Sequence, residues 1–173
     1  MVALLSLHGA AVAIASALPF GFYTFLWKRP QEWVKFCGQK NVDPSHRMAQ
    51  ISHALKVLQI LALASVATDF SSLPPWYAPV LFVAGQYLNF KTYELLGEGG
   101  VYYGAIFGKQ LPWVEKFPFG YIRDPQYWGS ILSLLGVSTW IPFKFVLLWI
   151  LGYFYMMILE REENPDSRSS KVS

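Results

Sequence analysis

Long apolar runs separated by short polar stretches set the pattern of this chain. Val2 to Trp27 is almost wholly apolar, with His8 its one ionisable side chain. Ile51 to Ala67 and Tyr77 to Leu96 form two more runs, and Tyr127 to Trp140 and Phe143 to Leu159 form a pair split by Pro142. The first run is long enough for one span of ~20 residues, and Pro19 and Gly21 are expected to bend or loosen it. Ala15-Ser-Ala17 looks like a signal cleavage site, so a removed signal peptide is the rival reading. The missing basic n-region and the length of the apolar core favour a retained span. Tyr127 to Trp140 is too short to cross a layer of ~30 Å at ~1.5 Å per residue. The last two runs therefore predict a helical hairpin turning within the membrane near Trp140 to Pro142. The fold expected is an all-α integral membrane protein: three transmembrane helices plus a C-terminal membrane helical hairpin. Residues 1–163 read as one polytopic domain and 164–173 as a polar, Ser-rich, disordered tail.

The polar stretches carry the candidate chemistry. Lys28 to Gln50 reads as a connection, with Trp27 and Trp33 in an interfacial aromatic belt. Asp43-Pro44-Ser45 reads as a turn and helix start, with either Asp43 or Ser45 as N-cap. In the second run His53, Lys56 and Gln59 recur every three residues along one side of a helix. Two readings stand for them: snorkelling to a nearby interface, or facing the bundle interior, where ionisable groups serve a site. Gln86, Asn89 and Tyr93 share a face of the third run, while Lys91 and Glu94 are an i,i+3 pair that can neutralise itself. Gly97-Glu98-Gly99-Gly100 ends that helix. Such glycines are ordinary helix punctuation, and they also let backbone amides approach a ligand. The loop Lys116 to Gly129 holds Arg123 and Asp124 before Pro125, and Tyr127 and Trp128 sit at the mouth of the next helix. The last run stops abruptly at Glu160-Arg-Glu-Glu163.

Lys and Arg populate the first loop, the third loop and the tail, and the loop from Asp69 to Trp76 has none. The positive-inside rule puts those three segments on the cytosolic side. His53, Lys56, Lys91, Glu94, Arg123 and Glu162 then converge on one membrane face.

Composition agrees with that class. Charged residues make up 14% and hydrophobic ones 54%, against about 25% charged in ordinary soluble domains. The net charge of +3 is spread over loops, so no concentrated basic face for nucleic acid exists. Cys37 is the lone cysteine, which excludes an internal disulfide and offers no metal cluster. No P-loop, GxGxxG, HExxH or Cys/His metal spacing appears. From the residues alone the chain is a small membrane protein with a cytosol-facing polar pocket, an enzyme or transporter acting on lipid-soluble substrates.

The run Phe117-Pro-Phe-Gly-Tyr-Ile-Arg-Asp-Pro-Gln-Tyr-Trp-Gly-Ser130, with Glu162-Glu163 after the hairpin, resembles the phospholipid methyltransferases. It looks in particular like the short plant-type phosphatidyl-N-methylethanolamine N-methyltransferases. The resemblance extends from about Asp43 to the tail, through His53, Lys56, Gln86-Tyr-Leu-Asn-Phe90 and Leu95-Leu-Gly-Glu-Gly99. It implies S-adenosyl-L-methionine as methyl donor, bound without a Rossmann domain, a phospholipid substrate, no metal, and residence in the endoplasmic reticulum membrane as a multi-pass protein.

The family's paired acids correspond to Glu162 and Glu163, whose carboxylates would accept hydrogen bonds from the cofactor's ribose hydroxyls or its ammonium. The family's Gly-x-Gly falls on Val83-Ala84-Gly85, where the first glycine is missing; Gly85 fits a helix-packing contact equally well. Gly97, Gly99 and Gly100 are physically better placed. Arg123 stands in the position of an Arg-His-Pro-type motif, to pair with the cofactor carboxylate or the lipid phosphate. Asp124 replaces that motif's histidine. Tyr127 joins the cofactor set. Lys56 is assigned to the lipid phosphate, and Tyr93 and Trp128 to the methylated cation by cation–π contact. His53, Glu94 and Glu98 are the candidate proton acceptors. The implied reaction converts phosphatidyl-N-methylethanolamine and its dimethyl form to phosphatidylcholine. A prenylcysteine-type carboxyl methyltransferase and a non-enzymatic scaffold are the alternatives.

Overall fold

A computed structural model of the chain describes residues 7–68 and 70–161. Among them there is no strand. Six α-helices follow in order: α1 (Leu7–Lys28), α2 (Pro30–Gly38), α3 (Pro44–Ala64), α4 (Tyr77–Val101), α5 (Pro125–Val137) and α6 (Phe143–Leu159). A 3-10 turn at Ser138–Trp140 joins the last two.

Three boundaries differ from the expectation. The polar connection after Lys28 contains a helix, α2. Pro30 fits its first turn, where no N–H partner is needed, and Trp33 and Cys37, one turn apart, are both buried on its inner face. Second, α3 starts at Pro44 rather than Ile51, because Asp43 caps it: the carboxylate accepts the His46 N–H at 2.9 Å. Third, α4 does not end at the glycines. It kinks at Gly97, which takes a positive φ of 62°, and runs on to Val101. A side chain at that φ would be strained.

The tightest packing lies between α4 and α5, which are joined by small residues. A Cβ on Gly129 would sit 2.7 Å from the Gly85 carbonyl oxygen, and one on Gly136 would sit 2.8 Å from that of Ala78. The two contacts are about two helical turns apart on each helix, so the antiparallel pair stays in backbone contact along that length. α1 passes behind α3 and α6. Phe20 lies 5.2 Å edge-on to Tyr153, and the buried Gln59 donates to the Ser16 carbonyl at 2.7 Å.

The bundle has two dissimilar ends. At one, His8 meets Ser65 at 2.9 Å, and the Thr68 N–H donates to the Trp140 carbonyl at 2.9 Å. The hairpin tip is thus level with the α3–α4 connection, and α6 spans roughly 25 Å at ~1.5 Å per residue. At the other end the start of α3, the end of α4, the start of α5 and the end of α6 come together. Apolar side chains such as Leu18, Val57, Ile60, Val83, Phe90 and Leu151 are exposed around the middle. One described helix, α1, is long and apolar enough to cross a membrane by length and composition.

Candidate functional site

Two adjoining chambers open at the polar end. The larger, about 680 Å³, lies between the end of α4, the loop before α5 and the end of α6. That volume falls within the ~300–1,000 Å³ of small-molecule sites. Arg123 and Arg161 line it, with Trp113, Phe119 and Tyr121 as aromatic wall and Gly100 and Gly120 as close backbone. The smaller, about 250 Å³, lies between α1, α3, α4 and α6, with Tyr23, His53, Lys56, Asn89, Tyr93 and Tyr153 in its wall. Val101, Tyr103, Gln126 and Tyr127 line both. These four residues are therefore a partition common to the two chambers, which adjoin there.

Glu160 is central to that partition. Its Oε1 accepts the Tyr127 hydroxyl at 2.6 Å and also the Tyr103 hydroxyl. Burial, reinforced by the Glu160 charge, pushes the Tyr103 hydroxyl well above its ordinary pKa. Burial likewise pushes Tyr102 up to about 12, and its hydroxyl lies 3.1 Å from His53 Nε2. On the small-chamber side Lys56 Nζ donates to the Tyr153 hydroxyl at 3.0 Å and stands 5.1 Å over the Trp149 ring. Of the three residues on that side of α3, Gln59 is fully buried, Lys56 is half-buried, and His53 is exposed where it lines the small chamber. A half-buried cation beside hydroxyls and ring faces is a natural anion seat, because a charge withdrawn from water calls for a partner.

Arg123 is held at the rim of the large chamber. Its Nη2 donates to the Arg161 carbonyl at 2.7 Å, and its Nε is 3.6 Å from Asp124. A guanidinium has five N–H donors in a fork, so these two partners do not exhaust it. The fit to S-adenosyl-L-methionine is good on chemistry: a guanidinium for a carboxylate, aromatic faces for a purine, and carboxylates for hydroxyls and an ammonium. Thr92 adds a polar atom in the same wall, its Oγ1 being buried without a hydrogen-bond partner.

The residues expected from sequence divide sharply. Arg123, Tyr127 and Gly100 line the large chamber; His53, Lys56, Tyr93 and, from the other side, Tyr127 line the small one. Gly85 packs on Gly129 and Ser133 of α5, while Val83 and Ala84 face outward. None of these three touches either chamber. Gly97 forms the kink. Gly99 supplies a carbonyl to the Gly104 N–H at 2.7 Å. Glu94 pairs with Lys91 at 2.7 Å and Glu98 with His46 at 2.9 Å, both outside the chamber linings. Trp128 packs edge-on to Phe154 at 5.8 Å, away from both chambers. Glu162 and Glu163 lie outside the described residues; Arg161, just before them in the chain, lines the large chamber. Sequence reasoning passed over Tyr103 and Glu160. Glu160 had a signal, as the first acid after the last apolar run, but its pairing with two tyrosines distant in sequence had none.

A second ionic tie closes the same end of the bundle: Lys109 reaches Asp43 at 2.8 Å. Burial works against the Asp43 carboxylate. The Lys109 ammonium and the His46 N–H outweigh it and hold the carboxyl below its usual range.

The profile of the phospholipid methyltransferase family matches residues 74–167. A phosphatidyl-N-methylethanolamine N-methyltransferase of Arabidopsis thaliana is 53% identical over 165 residues, covering 95% of this chain and 99% of that protein. Enzymes of the same name from Emericella nidulans (40% identical over 38% of this chain and 37% of theirs) and Saccharomyces cerevisiae (35% over 48% and 42%) match more locally. No solved structure matches the chain. Carried by a match over nearly its whole length to one of these enzymes, the chain belongs to the phospholipid methyltransferase family and is a methyltransferase.

Proposed function

We propose that this enzyme methylates the amine of phosphatidyl-N-methylethanolamine and then of phosphatidyl-N,N-dimethylethanolamine, giving phosphatidylcholine, with S-adenosyl-L-methionine as donor. The observation that carries the reading is the pair of adjoining chambers that share Val101, Tyr103, Gln126 and Tyr127 in their linings. Group transfer between two bound molecules needs two sites whose reacting atoms meet, and alignment is the largest contribution available to such an enzyme.

The large chamber is the cofactor site and the small one the headgroup site. S-adenosyl-L-methionine supplies a methyl group already activated on a sulfonium. Arg123 orients its carboxylate by a bidentate grip, and the family resemblance adds Glu162 and Glu163 to the cofactor set. In the small chamber Lys56 holds the lipid phosphodiester, and Tyr93 and Tyr153 pack on the methylated nitrogen. The partition of Tyr103, Tyr127 and Glu160 keeps bulk water from the line between nitrogen and methyl.

Residues 1–163 form one membrane domain of three spans and a hairpin reaching across the apolar layer, followed by a polar tail. Two features support this: the exposed apolar girdle and a hairpin tip level with the α3–α4 connection. The Lys and Arg distribution puts the chambers on the cytosolic side, and the family resemblance implies the endoplasmic reticulum membrane.

The test incubates purified protein in lipid vesicles with methyl-labelled S-adenosyl-L-methionine. Phosphatidylethanolamine, its mono- and dimethyl forms and a prenylcysteine analogue are offered separately. Label in phosphatidylcholine from the mono- and dimethyl lipids is the expected result. Label in the prenylcysteine ester alone would reassign the acceptor.

A further inference from the structure

Among the described residues Glu160 is the acid of the C-terminal cluster, and it stands where the chambers meet. Tyr103 and Tyr127 line both chambers and donate their hydroxyls to Glu160 Oε1; Glu160 itself lines the large one. Two donors on one oxygen suit an acceptor-only carboxylate. The Tyr127 ring lies 5.9 Å from that of Tyr153, whose hydroxyl takes the Lys56 hydrogen bond at 3.0 Å. The line Lys56, Tyr153, Tyr127, Glu160 therefore runs from cation to carboxylate. A phosphoethanolamine headgroup is its complement, phosphate at one end and ammonium at the other.

We propose that Tyr127 and Glu160 form a phenol–carboxylate relay that takes the proton from the lipid ammonium, an inference that rests on the N-methylation reading above. With its phosphate on Lys56, the headgroup turns its nitrogen toward the Tyr127 oxygen. The ammonium N–H bond breaks, and its proton joins that oxygen as the phenol's own proton passes to Glu160 Oε1. The electron pair left on nitrogen forms the bond to the incoming methyl carbon, and the carbon–sulfur electrons stay with sulfur. The positive charge lost from sulfur reappears on the product ammonium. Glu160 then gives its proton to water through the large chamber. Tyr127 is the catalytic residue, Glu160 acts through it, and Tyr103 fixes the carboxylate from the other side.

Other titratable groups face the relay. Tyr23 from α1, His53 and Lys56 from α3, Tyr93 from α4, Tyr102 just after it and Tyr153 from α6 surround it in the small chamber. Glu115, Arg123, Asp124 and Arg161 do so in the large one. His53 is the rival acceptor, so a His53→Gln variant accompanies the test.

The full chain in vesicles containing phosphatidyl-N-methylethanolamine is assayed for methyl transfer across pH, as wild type, Glu160→Gln, Tyr127→Phe and His53→Gln. Equilibrium binding of labelled S-adenosyl-L-methionine is measured for each. The relay predicts a kcat loss of about 10²–10⁴-fold in Glu160→Gln and Tyr127→Phe, with cofactor binding retained. It also predicts that the rise of kcat with pH disappears in both and persists in His53→Gln, and that Glu160→Asp recovers part of the rate. A Glu160→Gln or Tyr127→Phe enzyme with wild-type kcat and pH profile overturns the relay. So does a defect confined to cofactor binding, or loss of the pH limb in His53→Gln alone. If Glu160→Gln does not fold, Tyr127→Phe decides by the same readings. A wild type that methylates no phospholipid would instead remove the N-methylation reading itself.

Discussion

The helix pair α4–α5 is two things along its length. Toward the hairpin tip it is a clamp: Ala78 against Gly136 and Gly85 against Gly129 bring the backbones together with no room for a Cβ. Toward the other end the same two helices line chambers, with Asn89, Thr92 and Tyr93 on α4 facing Gln126, Tyr127 and Ser130 on α5. The change of use follows the change of side chain. Small residues allow dispersion contact over a long seam, which drives helix association where lipid is the solvent. Polar residues of larger size hold the helices off and leave groups that a ligand can meet. A rigid seam next to a cavity is also what keeps reacting groups in register.

The largest effect is expected from breaking the clamp. Gly129→Val forces side-chain atoms into the Gly85 backbone, which cannot yield as a flexible side chain would. Overpacking of this kind costs ~1–3 kcal/mol or more, read as a lower melting temperature in detergent together with loss of methyl transfer. A melt unchanged from wild type would mean the seam is not the bundle's anchor. Gly97→Ala should cost less, because nothing lies within 4 Å of its would-be Cβ. Its penalty is backbone strain of ~1–3 kcal/mol, because a φ of 62° with a ψ of −178° is a region essentially reserved for glycine. The kink directs the last turn of α4 into the large chamber, so cofactor KM should rise with it.

The clamp and the chambers were unequally legible in the sequence. Apolar runs and the Pro142 break gave the long helices α1, α3 and α4 and the split pair α5 and α6, because a long apolar run punctuated by proline reads as helix in any apolar setting. Asp43 as cap was half legible, since Ser45 offered the same chemistry nearby. α2 was hidden: nine residues with two inward side chains are too short for a period to show. Lys56 was conspicuous as a cation inside an apolar run and Arg123 as part of a family motif, and each lines a chamber. Glu160 and Tyr103 were passed over because their meaning lies in a contact across 57 residues of chain. Gly85 and Trp128 show the converse, residues conspicuous in a motif that the fold uses for packing.

Two smaller effects sharpen the contrast. The Lys109–Asp43 tie closes the open end, and the Asp43 carboxyl is held below its ordinary range by that ammonium and a backbone N–H, against the opposing effect of burial. A depressed folded-state pKa gives stability that is present above the unfolded-state value and lost as pH falls through the folded-state one. Asp43→Asn should therefore melt below wild type at neutral pH and converge with it in acid. Equal offsets at both pH values would remove the tie from the account. Smallest of all is Lys91→Ala. The Lys91–Glu94 pair is a surface contact outside both chambers, so methyl transfer should stay within about twofold of wild type. A large loss would mean that the headgroup approaches over that face of α4.

If the two chambers hold different molecules, substitutions in each will split the Michaelis constants. Initial rates of methyl transfer are measured with S-adenosyl-L-methionine and phosphatidyl-N-methylethanolamine varied independently, in wild type, Arg123→Ala and Lys56→Met. Loss of a charge-assisted hydrogen bond of ~1.5–3 kcal/mol corresponds to roughly 10–150-fold in the affected constant. The account predicts that rise in cofactor KM for Arg123→Ala and in lipid KM for Lys56→Met, each leaving the other constant near wild type. Both substitutions raising the same constant, or the two effects exchanged, would contradict it.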